Sequence, residues 1–328
     1  MQSLSWQEQL AQAIRQPKDL LEYVGLVADS IGYSQLALEQ FPVRVPHAFA
    51  NRIKQNDPDD PILRQIFPYI DEENDVNGFI KDPLSESGVQ PVHGLLQKYN
   101  SRVLLITTGA CAVHCRYCFR RHFPYQDSSA SGNHWESALG YIKNDLSINE
   151  VILSGGDPLT LSDRRLEELF LTLAQIKHIK RIRIHTRLPV VLPARMTATL
   201  LKQITDNDKT LIFVIHSNHA NELDNAVSNV IKLLQSFGIL ILNQSVLLKG
   251  VNDSVASLIN LSERLVENNV VPYYLHLLDP VAGAAHYDVT EEQAQKLIKE
   301  MQANVSGYLI PKLVKEEIGG NSKTILTN

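Results

Sequence analysis

With 328 residues and a formal net charge of −5, from 31 Lys and Arg against 36 Asp and Glu, the chain gives no support to broad phosphate-backbone binding, which needs a basic surface. Its 44% hydrophobic and 20% charged residues are those of a soluble globular protein, long enough for one large domain or two ordinary ones. No apolar run approaches membrane-spanning length, so neither nucleic acid nor membrane is an expected partner.

Residues 1–95 read as a helical, loop-rich N-terminal extension. Trp6, Leu10 and Ile14 recur every four residues, which predicts an amphipathic helix and not the apolar stretch of a signal peptide. Asn56-Asp-Pro-Asp-Asp-Pro61 is expected to stop one helix and start another, because aspartates cap and prolines open helices. Pro83 and Pro91 bracket an irregular linker. From Arg102 short apolar strands alternate with longer segments of 3.6-residue periodicity. The strands are expected at Val103–Thr107, Val151–Ser154, Arg181–Thr186, Leu211–Ser217, Ile239–Ser245 and Pro272–His276. Helices are expected between them, as at Arg164–Ile176, Ala220–Phe237 and Ser254–Glu267. Six such units imply an α/β fold with a parallel sheet and right-handed crossovers. They fall short of the eight of a closed barrel. An open, partial (β/α)6 TIM-like barrel over 96–310 is therefore expected, a doubly wound sheet being the alternative, with a C-terminal segment at 311–328.

Polar residues gather at the C-terminal ends of these strands, where such a fold places its site. Every cysteine follows the first strand: Cys111, Cys115 and Cys118, at CxxxCxxC spacing. Three thiolates can hold three irons of a 4Fe-4S cluster and leave the fourth open to a small molecule. Three ordinary buried cysteines, or a zinc site completed by His114 or His122, are the alternatives; the second ligand pair usual for zinc is missing. Three close-set cysteines make no secreted disulfide framework, and a reducing cytoplasm is the expected location. Ser154-Gly155-Gly156-Asp157-Pro158 follows the second strand. Its glycines would let backbone N–H groups approach a ligand, unless they form an ordinary turn. His185-Thr-Arg187 closes the third strand, His216-Ser-Asn-His219 the fourth, Asn243-Gln244-Ser245 the fifth, and His276 to Asp279 the sixth. His216 and His219 suit a pocket lining better than a metal. Arg120 and Arg121 are placed to receive an anionic group, or to balance a cluster's charge. Near the C-terminus, Lys323 follows Gly319-Gly320-Asn321-Ser322 and could reach into a pocket to hold pyridoxal phosphate, although terminal lysines are usually solvated.

The cysteine motif, the Ser-Gly-Gly-Asp-Pro turn, Arg187-Leu-Pro-Val-Val-Leu-Pro193, Asn243-Gln-Ser-Val-Leu-Leu248 and Pro272-Tyr-Tyr together resemble the lysine 2,3-aminomutases. These are radical S-adenosylmethionine isomerases that also use pyridoxal phosphate. The similarity runs from about Asn56 to Lys323. The CRYCFRRHFPY stretch and the short tail resemble the bacterial branch called elongation factor P (R)-β-lysylation protein B. The resemblance implies a cluster on Cys111, Cys115 and Cys118, and an S-adenosylmethionine site lined by Gly155, Gly156, Asp157, His216 and Gln244. It implies an aldimine between pyridoxal phosphate and Lys323, with the phosphate gripped by Lys98, Tyr99 and Arg102. Arg120 would pair with the substrate carboxylate, and Asp279 and Glu316 with its ε-ammonium. Lysine aminomutases have aspartate at this last position, so Glu316 is a departure that keeps the charge and lengthens the arm. Clostridial-type members continue into a cysteine-bearing, zinc-linked segment, whereas this chain stops five residues after Lys323; a structural zinc and its oligomer are not expected.

The implied activity is conversion of L-α-lysine to (R)-β-lysine. A 5′-deoxyadenosyl radical would take hydrogen from C3 of the aldimine-bound substrate, and nitrogen would migrate from C2 to C3. An external electron donor is implied, as is a functional link to elongation factor P and its β-lysine ligase. The alternatives are a mutase for another amino acid or for a protein-attached lysine, a radical enzyme without pyridoxal phosphate, and a non-catalytic iron–sulfur module. Two acids at the distal end oppose a substrate such as glutamate.

Overall fold

A computed structural model describes residues 4–27, 31–124, 134–320 and 322–326. Tyr125 and Asn321, which belong to motifs quoted above, lie outside the described residues. One nine-stranded sheet organises the chain, in the order β1 (Leu95–Tyr99), β2 (Arg102–Thr108), β3 (Glu150–Gly155), β4 (Arg181–Thr186), β5 (Thr210–His216), β6 (Leu240–Val246), β7 (Val271–His276), β8 (Lys312–Lys315) and β9 (Thr324–Ile325). Strands β2 to β8 are parallel, and antiparallel β1 and β9 flank them. Spatial order follows chain order throughout. Every crossover therefore steps the same way, as in a barrel, and the order reversal that marks a doubly wound sheet is absent. The sheet is an open, partial barrel, edged by β1 and β9.

The six strands expected from periodicity are β2 to β7, each within a residue or two of its expected bounds. The crossover helices span His134–Asn144, Asp163–Ala174, Ala198–Thr205, Asn225–Ser236, Val255–Glu267 and Glu291–Asn304. They dock by apolar stripes such as Leu166, Leu169, Phe170 and Leu173, all buried, the i, i+3, i+4, i+7 spacing of a helix on a core. Hydroxyl or carboxylate caps start five of them, at Ser162, Thr197, Asp224, Ser254 and Thr290, and satisfy orphan N–H groups. The expected helix Ala220–Phe237 is two pieces. A 3-10 turn (Ala220–Glu222) comes first and Asp224 then caps the helix proper.

The N-terminal residues differ more from expectation. The first helix spans Trp6–Ala11, and Ile14 lies beyond it, bridged to Val45. Pro17 opens the next helix with Gln16 extended, and the Ile14 backbone bonds to that of Val45 in place of a further helical turn. Asp60 does start a helix, its carboxylate accepting from Ile62 N at 2.8 Å and Leu63 N at 3.0 Å. The preceding helix has already ended at Ala50. Between Pro83 and Pro91 lies one 3-10 turn, Glu86–Val89.

A buried ion triad fastens this segment to the cysteine loop. Arg116 Nε and Nη2 donate to Glu72 at 2.7 and 2.6 Å, and Arg121 Nη2 donates to the same carboxylate at 2.6 Å. Arg121 is thereby structural; it does not face a ligand, as its sequence position had suggested.

Candidate active site

The strand ends and the loops after them enclose a cavity of about 490 Å³. Cys111, Cys115 and Cys118 line it, as do Gly155, Gly156, Asp157, His216 and Gln244. So do Lys98, Tyr99, Arg102, Arg120, Asp279, Glu316 and Lys323. Residues scattered over more than two hundred positions of chain thus share one chamber.

Burial and its neighbouring thiols push the Cys111 thiol well above its ordinary pKa, and burial with Cys115 nearby pushes Cys118 up to about 11. Only a strong cation would ionise such thiols, which an iron cluster does on binding. Among the described residues no three His, Cys, Asp or Glu side chains converge as a single ion requires. A cubane instead takes its three sulfurs on three irons, apart from one another. His114 Nδ1 lies 2.6 Å from Pro42 O and His122 Nε2 3.1 Å from Ala282 O, so each imidazole is anchored on a backbone carbonyl. Arg187 adds positive charge to the loop: its Nη1 donates to Cys115 Sγ at 2.7 Å, its Nη2 to Gln65 and to Glu222.

The Gly-Gly turn serves the cysteine loop first. A Cβ on Gly156 would stand 2.4 Å from Ala110 O, and one on Gly155 2.6 Å from Thr108 O. Gly155 also has φ +116, a conformation that only glycine adopts without strain. Gly156 N–H donates to Thr108 O at 2.7 Å and Asp157 N–H to Ala110 O at 2.8 Å. These groups hold β3 against the approach to Cys111. The Asp157 carboxylate accepts from Thr186 Oγ1 at 2.8 Å, and from Leu159, Arg187 and Leu188 N–H. It ties the end of β3 to the end of β4.

His216 packs on Tyr117, with Nε2 2.9 Å from its hydroxyl, and burial beside Arg187 lowers its pKa to about 3. It lines the cavity as a neutral ring. His219 does not; its Nδ1 accepts from Asn221 N–H and caps the 3-10 turn.

Across the chamber the charges alternate. Arg120 pairs with Glu86, Glu86 with Lys98 at 3.4 Å, Lys98 with Glu316 at 3.8 Å, and Glu316 with Lys323. Tyr99 donates its hydroxyl to Glu316, and the Arg102 guanidinium lies 4.5 Å from the Tyr99 ring centroid. Burial works to raise both glutamates, but Arg120 and Lys98 at Glu86, and Lys323, Tyr99 and Lys98 at Glu316, hold them below the usual value. Asp279 differs. Burial lifts it to about 7, with Lys323 pulling down and Glu316 pushing up. It is the acid placed to gain most from an added cation.

Two further lining side chains have buried nitrogens without a hydrogen-bond partner, His185 Nε2 and His276 Nε2. An orphaned buried polar atom costs about 1–3 kcal/mol, so these mark where the polar groups of a bound molecule fit. With the three thiols and the Lys323 amine, the donor set suits an iron cluster and a carbonyl cofactor.

Sequence reasoning missed Glu86, a lone acid in an irregular linker. It also assigned no role to Arg183, His185 or Tyr274. Their signal was present: on β4, Arg181, Arg183 and His185 alternate with buried Ile182, Ile184 and Thr186. A charged inner face on a barrel strand is uncommon unless it lines a site.

Residues 105–261 match the radical SAM superfamily, the enzyme class that this partial barrel and three-cysteine loop define. The chain is 44% identical over 322 residues to L-lysine 2,3-aminomutase of Escherichia coli (strain K12), covering 98% of this chain and 94% of that protein. Identity to the enzyme of the same name from Buchnera aphidicola is 43%, over 97% of this chain and 94% of that one. To that of Clostridium subterminale it is 34%, over 97% and 77%. The chain belongs to the L-lysine 2,3-aminomutase family.

Proposed function

We propose that this chain isomerises free L-α-lysine to (R)-β-lysine, using a 4Fe-4S cluster, S-adenosylmethionine and pyridoxal phosphate. The observation that carries this is the shared cavity: the three cysteines, Lys323, Arg120, Asp279 and Glu316 all line it. Cys111, Cys115 and Cys118 would hold the cluster, with Gly155, Gly156, Asp157, His216 and Gln244 around S-adenosylmethionine. Lys323 would hold pyridoxal phosphate, with Lys98, Tyr99 and Arg102 towards its phosphate. When bound, these groups supply homolytic removal of an unactivated hydrogen and a conjugated system through which nitrogen changes carbon.

The protein's own part is recognition and enclosure. Arg120 offers a forked donor to the α-carboxylate, while Asp279 and Glu316 offer negative charge to the ε-ammonium. Anchored at both ends, lysine would be held in one orientation within the chamber, the positioning on which such rates depend. Lining side chains such as Leu84, Leu96, Val191 and Leu278 exclude water from reactive species.

A lysine joined through its carboxyl to another protein lacks the group that Arg120 would read, which favours the free amino acid. The resemblance of the Cys115–Tyr125 stretch to the β-lysylation branch supports elongation factor P, through its ligase, as the destination of the product. A cytoplasmic setting and an external electron donor follow from that assignment. Among the described residues no helix is long and apolar enough to cross a membrane.

The test is anaerobic reconstitution with iron, sulfide and pyridoxal phosphate, then addition of reductant, S-adenosylmethionine and L-lysine. Chiral chromatography should show (R)-β-lysine accumulating without stoichiometric loss of S-adenosylmethionine. Cleavage to 5′-deoxyadenosine with no β-lysine would point to another substrate.

A further inference from the structure

We propose that Glu86 is a positioning residue for substrate recognition: it holds the Arg120 guanidinium side-on, so that the end-on edge is aimed at the carboxylate of the substrate. The role of Glu86 rests on that of Arg120 as the carboxylate reader. Glu86 Oε2 accepts from Arg120 Nε at 2.7 Å and Oε1 from Nη2 at 2.8 Å, while Nη1 donates to Ser154 Oγ at 3.2 Å. The two side chains are only 6% and 4% exposed, and the Phe119 ring lies 4.8 Å from the guanidinium carbon.

A guanidinium is planar, and its Nε–Nη2 fork lies on a different edge from its Nη1–Nη2 fork. Locking the first sets both the plane and the direction of the second. Glu86 itself is delivered by a tight turn. Ser85 adopts a left-handed conformation at φ +49, and Glu86 N–H donates to Asp82 Oδ1 at 3.1 Å. Lys98 approaches the same carboxylate at 3.4 Å. Were an incoming carboxylate to displace Glu86, it would leave that buried acid with Lys98 alone and break two short bonds, a change that buried pairs resist. Support of Arg120 is therefore the role assigned, and not competition with the substrate.

The experiment compares L-lysine with L-lysinamide, which keeps both amines and lacks the carboxylate. Binding to anaerobic holoenzyme without reductant is followed by titration calorimetry, so that no turnover intervenes. Glu86→Gln keeps the shape but loses the charge and one acceptor. Its preference for lysine over lysinamide should fall about tenfold, with lysinamide affinity within about twofold of the parent. Glu86→Asp, which keeps the charge on a shorter arm, should fall between the two. Should Glu86→Gln fail to fold, Glu86→Asp carries the same comparison. An unchanged preference, equal weakening of both ligands, or tighter lysine binding would each overturn the role of Glu86. Arg120→Lys separates the underlying assignment: if it leaves the preference intact, Arg120 does not read the carboxylate and the site assignment itself fails.

Discussion

Glu316 and Lys323 face each other because the chain folds back between them. Strand β8 pairs with β9 in antiparallel register, Val314 with Ile325 and Lys315 with Thr324. One further step along that register sets Glu316 opposite Lys323, and their side chains form an ion pair. The lysine is thus presented by a hairpin at the edge of the barrel sheet and does not depend on a loose glycine tether. Gly319, at φ +76, supplies a left-handed residue within the turn.

Replacing Lys323 by Ala should abolish the visible absorbance of bound pyridoxal phosphate and lower turnover roughly a thousandfold or more. Glu316→Gln should raise the KM for lysine about tenfold or more, since a buried charge loses its partner. An unaltered absorbance spectrum in the Ala variant would exclude Lys323 as the cofactor lysine.

On the proposed site, Asp279 should make lysine binding pH-dependent. Burial lifts its carboxyl to about 7, and only the ionised form attracts an ammonium. Lysine affinity should rise as pH climbs through about 7 and be lost below it, with the inflection absent in Asp279→Asn. For folding the sign reverses. The unfolded carboxyl ionises near 4, so between about 4 and 7 rising pH withdraws stability from the fold. Affinity profiles that coincide for parent and Asn variant would remove Asp279 from the substrate site.

Gly156→Ala should disturb the cysteine loop. The new Cβ would lie 2.4 Å from Ala110 O, a backbone atom directly before Cys111. A stability loss of about 1–3 kcal/mol is expected from such overpacking, with reduced iron per chain on analysis. Full iron content together with an unchanged melting temperature would show that the turn has room to spare.

The Arg116–Glu72–Arg121 triad is buried throughout. Glu72→Gln leaves two guanidinium groups short of their common counter-charge, and a loss of about 3–5 kcal/mol is expected. Urea unfolding of the iron-free protein measures this without the cluster's own contribution. A loss below about 1 kcal/mol would mean that the arginines find other acceptors.

Strands β2 to β7 were legible because each is an apolar run long enough to show its period, bounded by turns and alternating with amphipathic helices. Strand β8 has four residues and β9 two. Such segments become strands through the neighbour they pair with, and carry no period of their own. Ile14 shows the opposite failure, a helical spacing overridden by a backbone bridge to Val45. The candidate residues were legible as a set, and all but Arg121 and His219 line one cavity, yet their local uses differ from those suggested by type. Asp157 accepts from a strand end, the glycines admit a neighbouring backbone, and Arg121 holds an N-terminal acid.

By itself the sequence determined the three-thiol loop and the succession of β-α units, while the pyridoxal phosphate role of Lys323 was legible only through the family resemblance. Thiols at a set spacing and an apolar period are local properties of the chain. Only the tertiary structure decided which charges meet. Arg120 and Glu86 stand 34 residues apart in the chain, Tyr99 and Glu316 217. Their coupling depends on distances of a few ångströms inside one chamber. Electrostatic attraction and hydrogen bonding fall off over those distances, and no separation along the sequence encodes them.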